Sequence, residues 1–436
     1  MFLGLWQAVA QDFKIYTEHP RLLLRPQRLR LLEREKERRS MRWQQFELLM
    51  AGKAAMPEPG LALALYYRVS GNKPAGEQAI DWALGASADL RQAALVFDWC
   101  QPLLSGQQSG ALAGRLQRGI EQGARSNSLT DVRARVLAAV ALADHLPGVS
   151  ERVLRSVVEQ WWNREMAPAL KAGRNVVARD DLYALFELLH ALRDNLNLDL
   201  RVPVPAFFKQ LPLYDLMSYY PASYPAAENE YRIPASRDRQ VDLRGAALSR
   251  AAEFAILAYD PNAFESQYLQ GWLMHDRFLL RGAFGIPYEF LWANPYHPGL
   301  SYYNLPPAFH DELFGRLFLR SSWDDDARWL GYFDRQLQVF EKGEPRMVPL
   351  KSAADPIRVG AAMVIVARSP LRFSSKGEVN TVFVIGLEPL RGYDVEVDDE
   401  EMREETTDRG GILTLAFPGG LRGGVRIKPG PRNNES

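Results

Sequence analysis

The chain has 436 residues, of which 47% are apolar and 11% are aromatic, and this length predicts more than one domain because it exceeds the size at which a single core stops growing. Lys plus Arg equals Asp plus Glu at 53 each, so the charge balance disfavours nucleic-acid binding driven by phosphate neutralisation. Cys100 is the single cysteine, which excludes an intrachain disulfide and a cysteine-based metal site, and its apolar neighbours predict a buried structural thiol.

Residues 1–18 are predicted to be a signal peptide or an N-terminal anchor. Met1 to Trp6 is apolar, and Ala8-Val9-Ala10 has the small-x-small pattern of a signal-peptidase site. A signal remnant ending at Ala10 predicts a secreted or periplasmic protein, and the alternative is an apolar anchor to the helical body. No later stretch is long and uncharged enough to span a bilayer.

Residues 19–312 have apolar residues at helical spacing in one segment after another. Pro26 opens a predicted helix whose charged residues form the solvated face. Gly, Pro, Asn and Ser breakers separate the further predicted helices. These lie at 59–70, 76–85, 91–104, 109–125, 131–145, 151–163, 181–195, 241–258 and 264–281.

Helices joined by short polar turns pack as antiparallel neighbours, and this many of them form either a solenoid or a ring of helical hairpins. No internal repeat has a fixed residue pattern, which favours an incomplete α/α toroid over 19–312. Two proline-rich and tyrosine-rich stretches, 203–238 and 286–310, break the helical rhythm and are predicted to be long loops with a functional role.

After Phe314 the pattern changes to short β-rich runs bounded by Gly, Pro or Asp. They predict a small antiparallel β-sandwich-like domain at 313–429, with a disordered tail at 430–436. The predicted fold class is therefore multi-domain, α then β. The predicted strands are 315–321, 328–333, 337–340, 361–367, 381–387, 393–397, 412–417 and 423–428.

Three segments, at 19–24, 94–99 and 317–330, resemble the heparinase II/III-like group of polysaccharide lyases. The resemblance runs from about residue 19 to 343 and implies an α/α toroid followed by an antiparallel β-sandwich. It also implies β-elimination at a uronic acid of an acidic polysaccharide. That reaction needs a group that neutralises the carboxylate, a base for the C5 proton and an acid for the leaving oxygen at C4. The resemblance implies Asn or His for the first role, and Tyr and His for the other two.

The chain departs from the family pattern in two places. Arg179-Asp180-Asp181 stands where the family tends to have Asn-Asn-His, and carboxylates repel a uronate, so we expect Arg179 to supply the neutralising charge. No histidine follows His310, although early strands of the family carry one. Both departures favour the alternative of a non-catalytic glycan-binding protein.

The densest polar segment is 218–234, whose tyrosines offer flat faces and hydroxyls to sugar rings. Tyr231 is the predicted acid or base, because the neighbouring cation lowers the pKa of a phenol. The alternative is a well-packed loop whose tyrosines cover helix ends. The predicted substrate-binding residues here are Tyr224, Asn229, Glu230 and Arg232.

The second polar segment is 292–304. His297 is the predicted partner of Tyr231 in proton transfer because it lies in a loop among hydroxyls and an amide; the alternative is a structural histidine. The predicted substrate-binding residues here are Trp292, Tyr296, Tyr302, Tyr303 and Asn304.

A glycoside hydrolase with two catalytic carboxylates is the third hypothesis. Asp180 and Asp181 have an alternative role as N-caps of a helix, and 324–326 is interpreted as a hairpin turn rather than a weak cation loop. No cofactor or metal is predicted, since the chain has no phosphate loop, metal-spaced histidines or nucleophile elbow. The candidate carboxylates are Asp98, Asp180, Asp181, Glu228 and Glu230.

Overall fold

The computed structural model describes most of the chain. The signal remnant predicted to end at Ala10 and the last residues of the predicted tail lie outside the described residues. The described ranges are 13–225, 230–237, 242–276, 281–350, 355–366, 371–374, 379–398, 401–421 and 423–431.

The described chain before residue 308 is mainly helical, and each helix predicted between 59 and 281 is present with shifted ends. The prediction at 151–163 covers the end of one α-helix and most of the π-helix Ser156–Met166, and the predicted end at 281 follows residues outside the described ranges. None of the described helices is long and apolar enough to cross a bilayer. The helices are α1 (Pro26–Glu37), α2 (Met41–Ala51), α3 (Pro59–Ser70), α4 (Lys73–Leu84), α5 (Leu90–Trp99), α6 (Gly106–Gly123), α7 (Leu129–Ala141), α8 (Pro147–Arg155), α9 (Ala167–Lys171), α10 (Leu182–Leu196), α11 (Pro205–Met217), α12 (Leu243–Tyr259), α13 (Phe264–Asp276) and α14 (Ile286–Trp292).

Short polar side chains start several of these helices as the sequence suggests. Ser105 and Gln108 form a capping box at α6, in which each side chain bonds the other residue's main chain. The predicted N-caps of α10 are different: 179–181 forms a short 3₁₀ helix, and Asp181 makes no side-chain cap hydrogen bond. Asp181 therefore occupies the N-cap position of α10 without making the capping hydrogen bond.

The two predicted loops contain regular structure. The stretch 203–238 holds α11 and a hairpin of β1 (Tyr219–Pro225) and β2 (Glu230–Pro234), and α14 lies within 286–310. Proline misled the prediction because it is tolerated in the first turn of a helix, where α11 and α14 both have one.

Helices distant in sequence pack against one another in a fixed order. α3 contacts α5, α5 contacts α7, α7 contacts α10, α10 contacts α12, α12 contacts α14, and α14 contacts α2 and α3. The apolar side chains at these contacts belong to one core, in which Cys100 is buried as expected. Burial raises the pKa of the Cys100 thiol to about 12.

A buried polar network ties this core together. The guanidinium of Arg91 (α5) donates from Nε and Nη2 to the two carboxylate oxygens of Glu187 (α10), at 2.8 and 2.6 Å. Arg133 (α7) and the hydroxyl of Tyr183 also donate to Glu187, at 2.6 and 2.8 Å. Trp292 (α14) donates to the hydroxyl oxygen of Tyr183 at 3.0 Å, so the network reaches four helices.

The chain from residue 308 onward is β-rich in its described part, and all eight predicted strands are present. Strand β3 begins before the predicted domain boundary at 313. The strands are β3 (Ala308–Asp311), β4 (Arg316–Arg320), β5 (Trp329–Phe333), β6 (Gln336–Glu341), β7 (Glu344–Val348), β8 (Ile357–Val359), β9 (Ala362–Val366), β10 (Leu371–Ser374), β11 (Thr381–Ile385), β12 (Gly392–Val397), β13 (Glu401–Thr406), β14 (Leu413–Ala416) and β15 (Gly424–Pro429).

These strands form three sheets instead of the two of a simple sandwich. The first has the order β3-β4-β5-β6-β7, the second β14-β11-β9-β8, and the third β10-β15-β12-β13. Pairing is antiparallel except between β9 and β11, which run parallel. The prediction of an antiparallel β region is thus confirmed apart from that one pair.

Alternate side chains of each strand face opposite layers, so the three sheets and the helical core pack one on another. In the first sheet Phe318 faces the helical core, whereas Leu317 and Leu319 face the second sheet. In the second sheet Val364 faces the first sheet and Ile365 faces the third. The second sheet is buried on both faces, the setting in which parallel strands occur.

Candidate functional site

The structure separates the predicted site residues into different parts of the molecule. Arg179 lies in a buried ionic network, while Trp292 and His297 line a large cavity. Arg232, Tyr302 and Tyr303 line a cleft that shares no residue with that cavity. Asn229 and Glu228 lie outside the described residues, and so do the side chains of Glu230 and Tyr231.

Arg179, the predicted uronate-neutralising residue, is held by the protein's own acids. Its Nε donates to Ser249 Oγ at 2.7 Å and its Nη1 to Ser218 Oγ. Its guanidinium lies 3.3 Å from Glu253 Oε1 and 3.6 Å from Asp215 Oδ1, and both of these carboxyl groups are buried. A uronate at this position would compete with two internal carboxyl groups.

The two acids beside Arg179 share one environment. Burial raises the pKa of Asp215 most strongly, Arg179 lowers it, and the nearby Glu253 raises it again. The net effect is a pKa of about 7 for this carboxyl. Arg250 lies 3.4 Å from Glu253, so two arginines and two carboxyl groups balance each other. This arrangement is a structural network with little room for a ligand charge.

His297 lies in a different environment from Arg179. It lines a cavity of about 1100 Å³ together with Trp292 and Arg28. Burial and the charge of Arg28 lower the pKa of His297, so its imidazole is neutral at pH 7. Trp292 is buried and its ring is covered by Arg28 at 4.4 Å, which leaves no free face for a sugar.

Three further predicted residues lie at the surface. Tyr296 is 59% exposed, and its hydroxyl accepts a 2.6 Å hydrogen bond from Arg38. Tyr224 is exposed on β1 and pairs in register with Tyr231 on β2. Asn304 is exposed at the end of its 3₁₀ helix. These residues belong to none of the cavities described here.

A cleft of about 400 Å³ lies where β2, α13, the 3₁₀ helix Tyr302–Asn304 and the turn after β4 meet. The turn predicted at 324–326 forms part of its wall. We call this site the aromatic cleft. Its side chains are Arg232, Trp272, His275, Tyr302, Tyr303, Arg320, Trp323 and Asp324–Asp326.

The rings of the aromatic cleft support one another. Tyr302 and Tyr303 stack with centroids 4.5 Å apart, and Trp323 meets Tyr302 edge-on at 5.0 Å. His275 meets Tyr303 edge-on at 5.8 Å. Tyr302 is buried whereas Tyr303 is 51% exposed, so the inner ring holds the outer ring in place and the outer ring presents a surface to a ligand.

Arg320 supplies the positive charge of the cleft. It is 5% exposed, and it donates from Nη1 to the main-chain oxygen of Tyr219 at 3.3 Å and from Nε to that of Ser322 at 3.4 Å. No carboxylate among the described residues lies within ion-pair distance of it. Burial and the nearby Arg232 lower the pKa of Arg320 to about 10, so it remains a cation at neutral pH.

The second arginine of the cleft has a partner at the surface. Arg232 donates from Nη2 to Asp325 at 2.6 Å, and the Asp325 side chain is 68% exposed. Exposed ion pairs are weak because water screens them. Water therefore screens the Asp325 end of this pair.

Sequence reasoning missed four residues of the cleft, namely Trp272, His275, Arg320 and Trp323. The segment 317–330 pointed to the fold resemblance, and the Arg-x-x-Trp spacing at its centre was the available signal for a site. Among the described residues, no cluster of His, Cys, Asp and Glu is arranged to hold a metal ion.

No protein-family model matches the chain, and no curated protein matches it in sequence. The resemblance to heparinase II/III-like lyases stays a prediction from three short segments.

Proposed function

We propose that the protein binds a uronic-acid-containing oligosaccharide or polysaccharide in the aromatic cleft. The observation that carries the proposal is Arg320, a buried cation that bonds main-chain oxygens and has no carboxylate partner among the described residues. A buried charge without a counter-ion is costly, and a ligand carboxylate would relieve that cost. Arginine suits this role because its planar fork matches the two oxygens of a carboxylate.

The rest of the cleft fits the same ligand class. Tyr303 offers a ring face to a sugar. The three carboxylates of 324–326 outnumber the two arginines of the cleft and would repel a uronate carboxylate, so we place them at the sugar hydroxyls, for which they are acceptors. The volume of about 400 Å³ lies within the range of ligand pockets. We therefore place the uronate carboxylate at Arg320 and the sugar ring against Tyr303.

We also propose that the helical region is an incomplete α/α toroid. Helix contacts that run from α3 through α5, α7, α10, α12 and α14 back to α3 support an incomplete α/α toroid. A β-rich region follows it, as in the heparinase II/III-like group. Fold-level likeness alone does not establish an activity, so the cleft chemistry carries the functional argument.

A second candidate function is β-elimination in the same cleft. It is favoured by His275 and Tyr303, which line the cleft beside Arg320. In this scheme Arg320 neutralises the uronate, one of the two other groups takes the C5 proton, and the other gives a proton to the O4 leaving group as the C4–O bond breaks. Arg320 and His275 then have the roles that the sequence assigned to Arg179 and His297.

Calorimetric titration with oligouronates tests the binding proposal. Arg320→Gln should weaken binding about 10- to 100-fold, the loss expected for a hydrogen bond to a charged group. Arg320→Lys should bind with intermediate affinity because it keeps the charge but loses the fork. Arg372→Gln, a change at an exposed arginine on β10, is the matched control and should bind as the wild type does.

Equal affinity of the wild type and Arg320→Gln, with far-ultraviolet circular dichroism showing that both are folded, would refute the proposed site. Ultraviolet absorbance of the same mixtures separates the two functions, since elimination leaves an unsaturated sugar. A rise that His275→Ala abolishes without loss of binding establishes the lyase. A flat trace with intact binding leaves the binding protein.

A further inference from the structure

A large cavity lies away from the aromatic cleft. Its volume is about 1100 Å³, and it is enclosed by α1 and by the C-terminal ends of α10, α12 and α14. Its charged side chains are mostly basic, so we call it the cationic cavity. The charged residues are Lys14, Arg25, Arg28, Arg30, Arg34, Arg193 and Asp194.

Helix α1 contributes one face to this cavity. Gln27, Arg30, Leu31 and Arg34 have the spacing i, i+3, i+4, i+7, which places them on one side of a helix. Arg30 and Arg34 are exposed, and no acidic side chain among the described residues lies within ion-pair distance of either. A solvated helix face accounts for their exposure, but not for the further cations that converge on the same cavity.

The deeper arginines bond helix ends, and of these only Arg193 also has an acidic partner among the described residues. Arg25 donates to the main-chain oxygen of Asp194. Arg28 donates to that of Leu291 at 3.2 Å, and Arg193 donates to that of Tyr259 at 2.8 Å. The partial negative charge of helix C-termini stabilises such cations only in part.

Full negative charge is scarce in the cavity. Among the described residues that line it, the one carboxylate is Asp194, which pairs with Arg193 at 3.1 Å. The six basic residues thus exceed the single acid by five formal charges. His297 is neutral and therefore leaves the excess of positive charge unchanged. An anion inside the cavity would therefore find several cations that no carboxylate in the described part of the chain occupies.

Arginines cover Trp272 and Trp323 in the aromatic cleft but leave Tyr303 half exposed, whereas the rings of the cationic cavity are covered. Arg25 covers Tyr16 at 3.7 Å, and Arg28 covers Trp292 at 4.4 Å. Cations therefore occupy the ring faces on which a sugar would stack, which favours a ligand recognised by its charge.

We propose that the cationic cavity is a second binding site, for a ligand that carries several phosphate or sulfate groups. Tetrahedral oxyanions accept bidentate hydrogen bonds from arginine, and the size of the cavity accommodates more than one such group. Arg30 and Arg34 contact the ligand from the exposed face of α1, and Arg25 and Arg28 contact it from the start of the same helix. This site stands or falls independently of the aromatic cleft because the two share no residue.

Isothermal titration of the full chain with inorganic tripolyphosphate at low salt tests the proposal, with monophosphate and a sulfated disaccharide measured in parallel. The double variant Arg30→Gln with Arg34→Gln should lose at least tenfold in affinity for tripolyphosphate. Arg30→Lys with Arg34→Lys should keep most of it. The control pair Arg125→Gln with Arg164→Gln changes two exposed arginines outside the cavity and should match the wild type.

Tighter binding of tripolyphosphate or of the sulfated disaccharide than of monophosphate supports the site, and the tighter of the two names the ligand group. The absence of binding heat for both multivalent anions overturns the proposal. An equal loss of affinity in the two glutamine double variants also overturns it, because the effect would then follow net charge alone.

Discussion

Glu187 is the residue whose loss should harm the helical region most clearly. Its carboxylate is completely buried and accepts two hydrogen bonds from Arg91, one from Arg133 and one from Tyr183. Glu187→Gln keeps the shape of the side chain but removes its charge. Arg91 would keep Glu58 at 3.0 Å as an acidic partner, but Arg133 would lose its carboxylate.

Two independent estimates give the size of this effect. Removing one partner of a buried ion pair costs about 3 to 5 kcal/mol because the other charge stays buried. Burial raises the pKa of Glu187, but Arg91 and Arg133 outweigh burial and hold it at about 2, against an ordinary value of 4.5. A depression of this size corresponds to about 3 kcal/mol of stability at neutral pH. The two routes agree on about 3 kcal/mol.

The sign of the pH dependence follows from the lowered pKa. The contribution of Glu187 is complete above the ordinary pKa of 4.5 and is lost as the pH falls towards 2. Urea unfolding followed by circular dichroism should therefore show a large deficit for Glu187→Gln at pH 7 that shrinks below pH 4.5. Glu159→Gln, which breaks an exposed i,i+4 pair with Arg155, should change little. A deficit below about 1 kcal/mol at pH 7, or one that does not change with pH, would refute the reasoning.

His190 should contribute a second pH dependence in a separate window. It is buried, and burial with Arg28 and Arg193 lowers its pKa well below 6.5, so the unfolded chain binds a proton below pH 6.5 that the folded chain does not. Stability should fall by about 1.4 kcal/mol per pH unit below that value, and His190→Gln should flatten this slope in urea titrations. Gly271→Ala should lower the melting temperature and weaken oligouronate binding, because a Cβ there would overlap the carbonyl oxygen of Leu300 beside the aromatic cleft. A normal melting curve for that variant would contradict the close approach.

Local patterns explain why the helices and strands could be predicted. Apolar residues at helical spacing bury one side of each helix, and α3 begins and ends at the residues predicted for it. The predicted strands are equally local, since runs such as β11 have apolar residues on both faces. The order in which the sheets stack was not predictable, because the sequences of β9 and β11 do not indicate which sheet covers each of their two apolar faces.

The site was harder to predict for a physical reason. Arg179 and Arg320 look alike in sequence, and what distinguishes them is the distribution of acids around them in space. The acids near Arg179 come from α11 and α12, 36 and 74 residues further along the chain. Local sequence patterns do not reveal such distant partners. The prediction therefore placed the ligand carboxylate at Arg179, whose charge the protein itself neutralises.

Charge balance separates the structural arginines Arg91 and Arg179 from the two that we propose to bind ligands, Arg320 and Arg28. Arg91 and Arg179 are buried against carboxylates, which compensate the cost of removing them from water. Arg320 and Arg28 instead bond main-chain oxygens, which carry only partial charge. The free energy of these two cations should therefore fall when an anion binds, whereas Arg91 and Arg179 gain nothing from it. We propose a uronate for the aromatic cleft and a denser anion for the cationic cavity because, of the two sites, the cleft is the one with an exposed tyrosine face for a sugar ring.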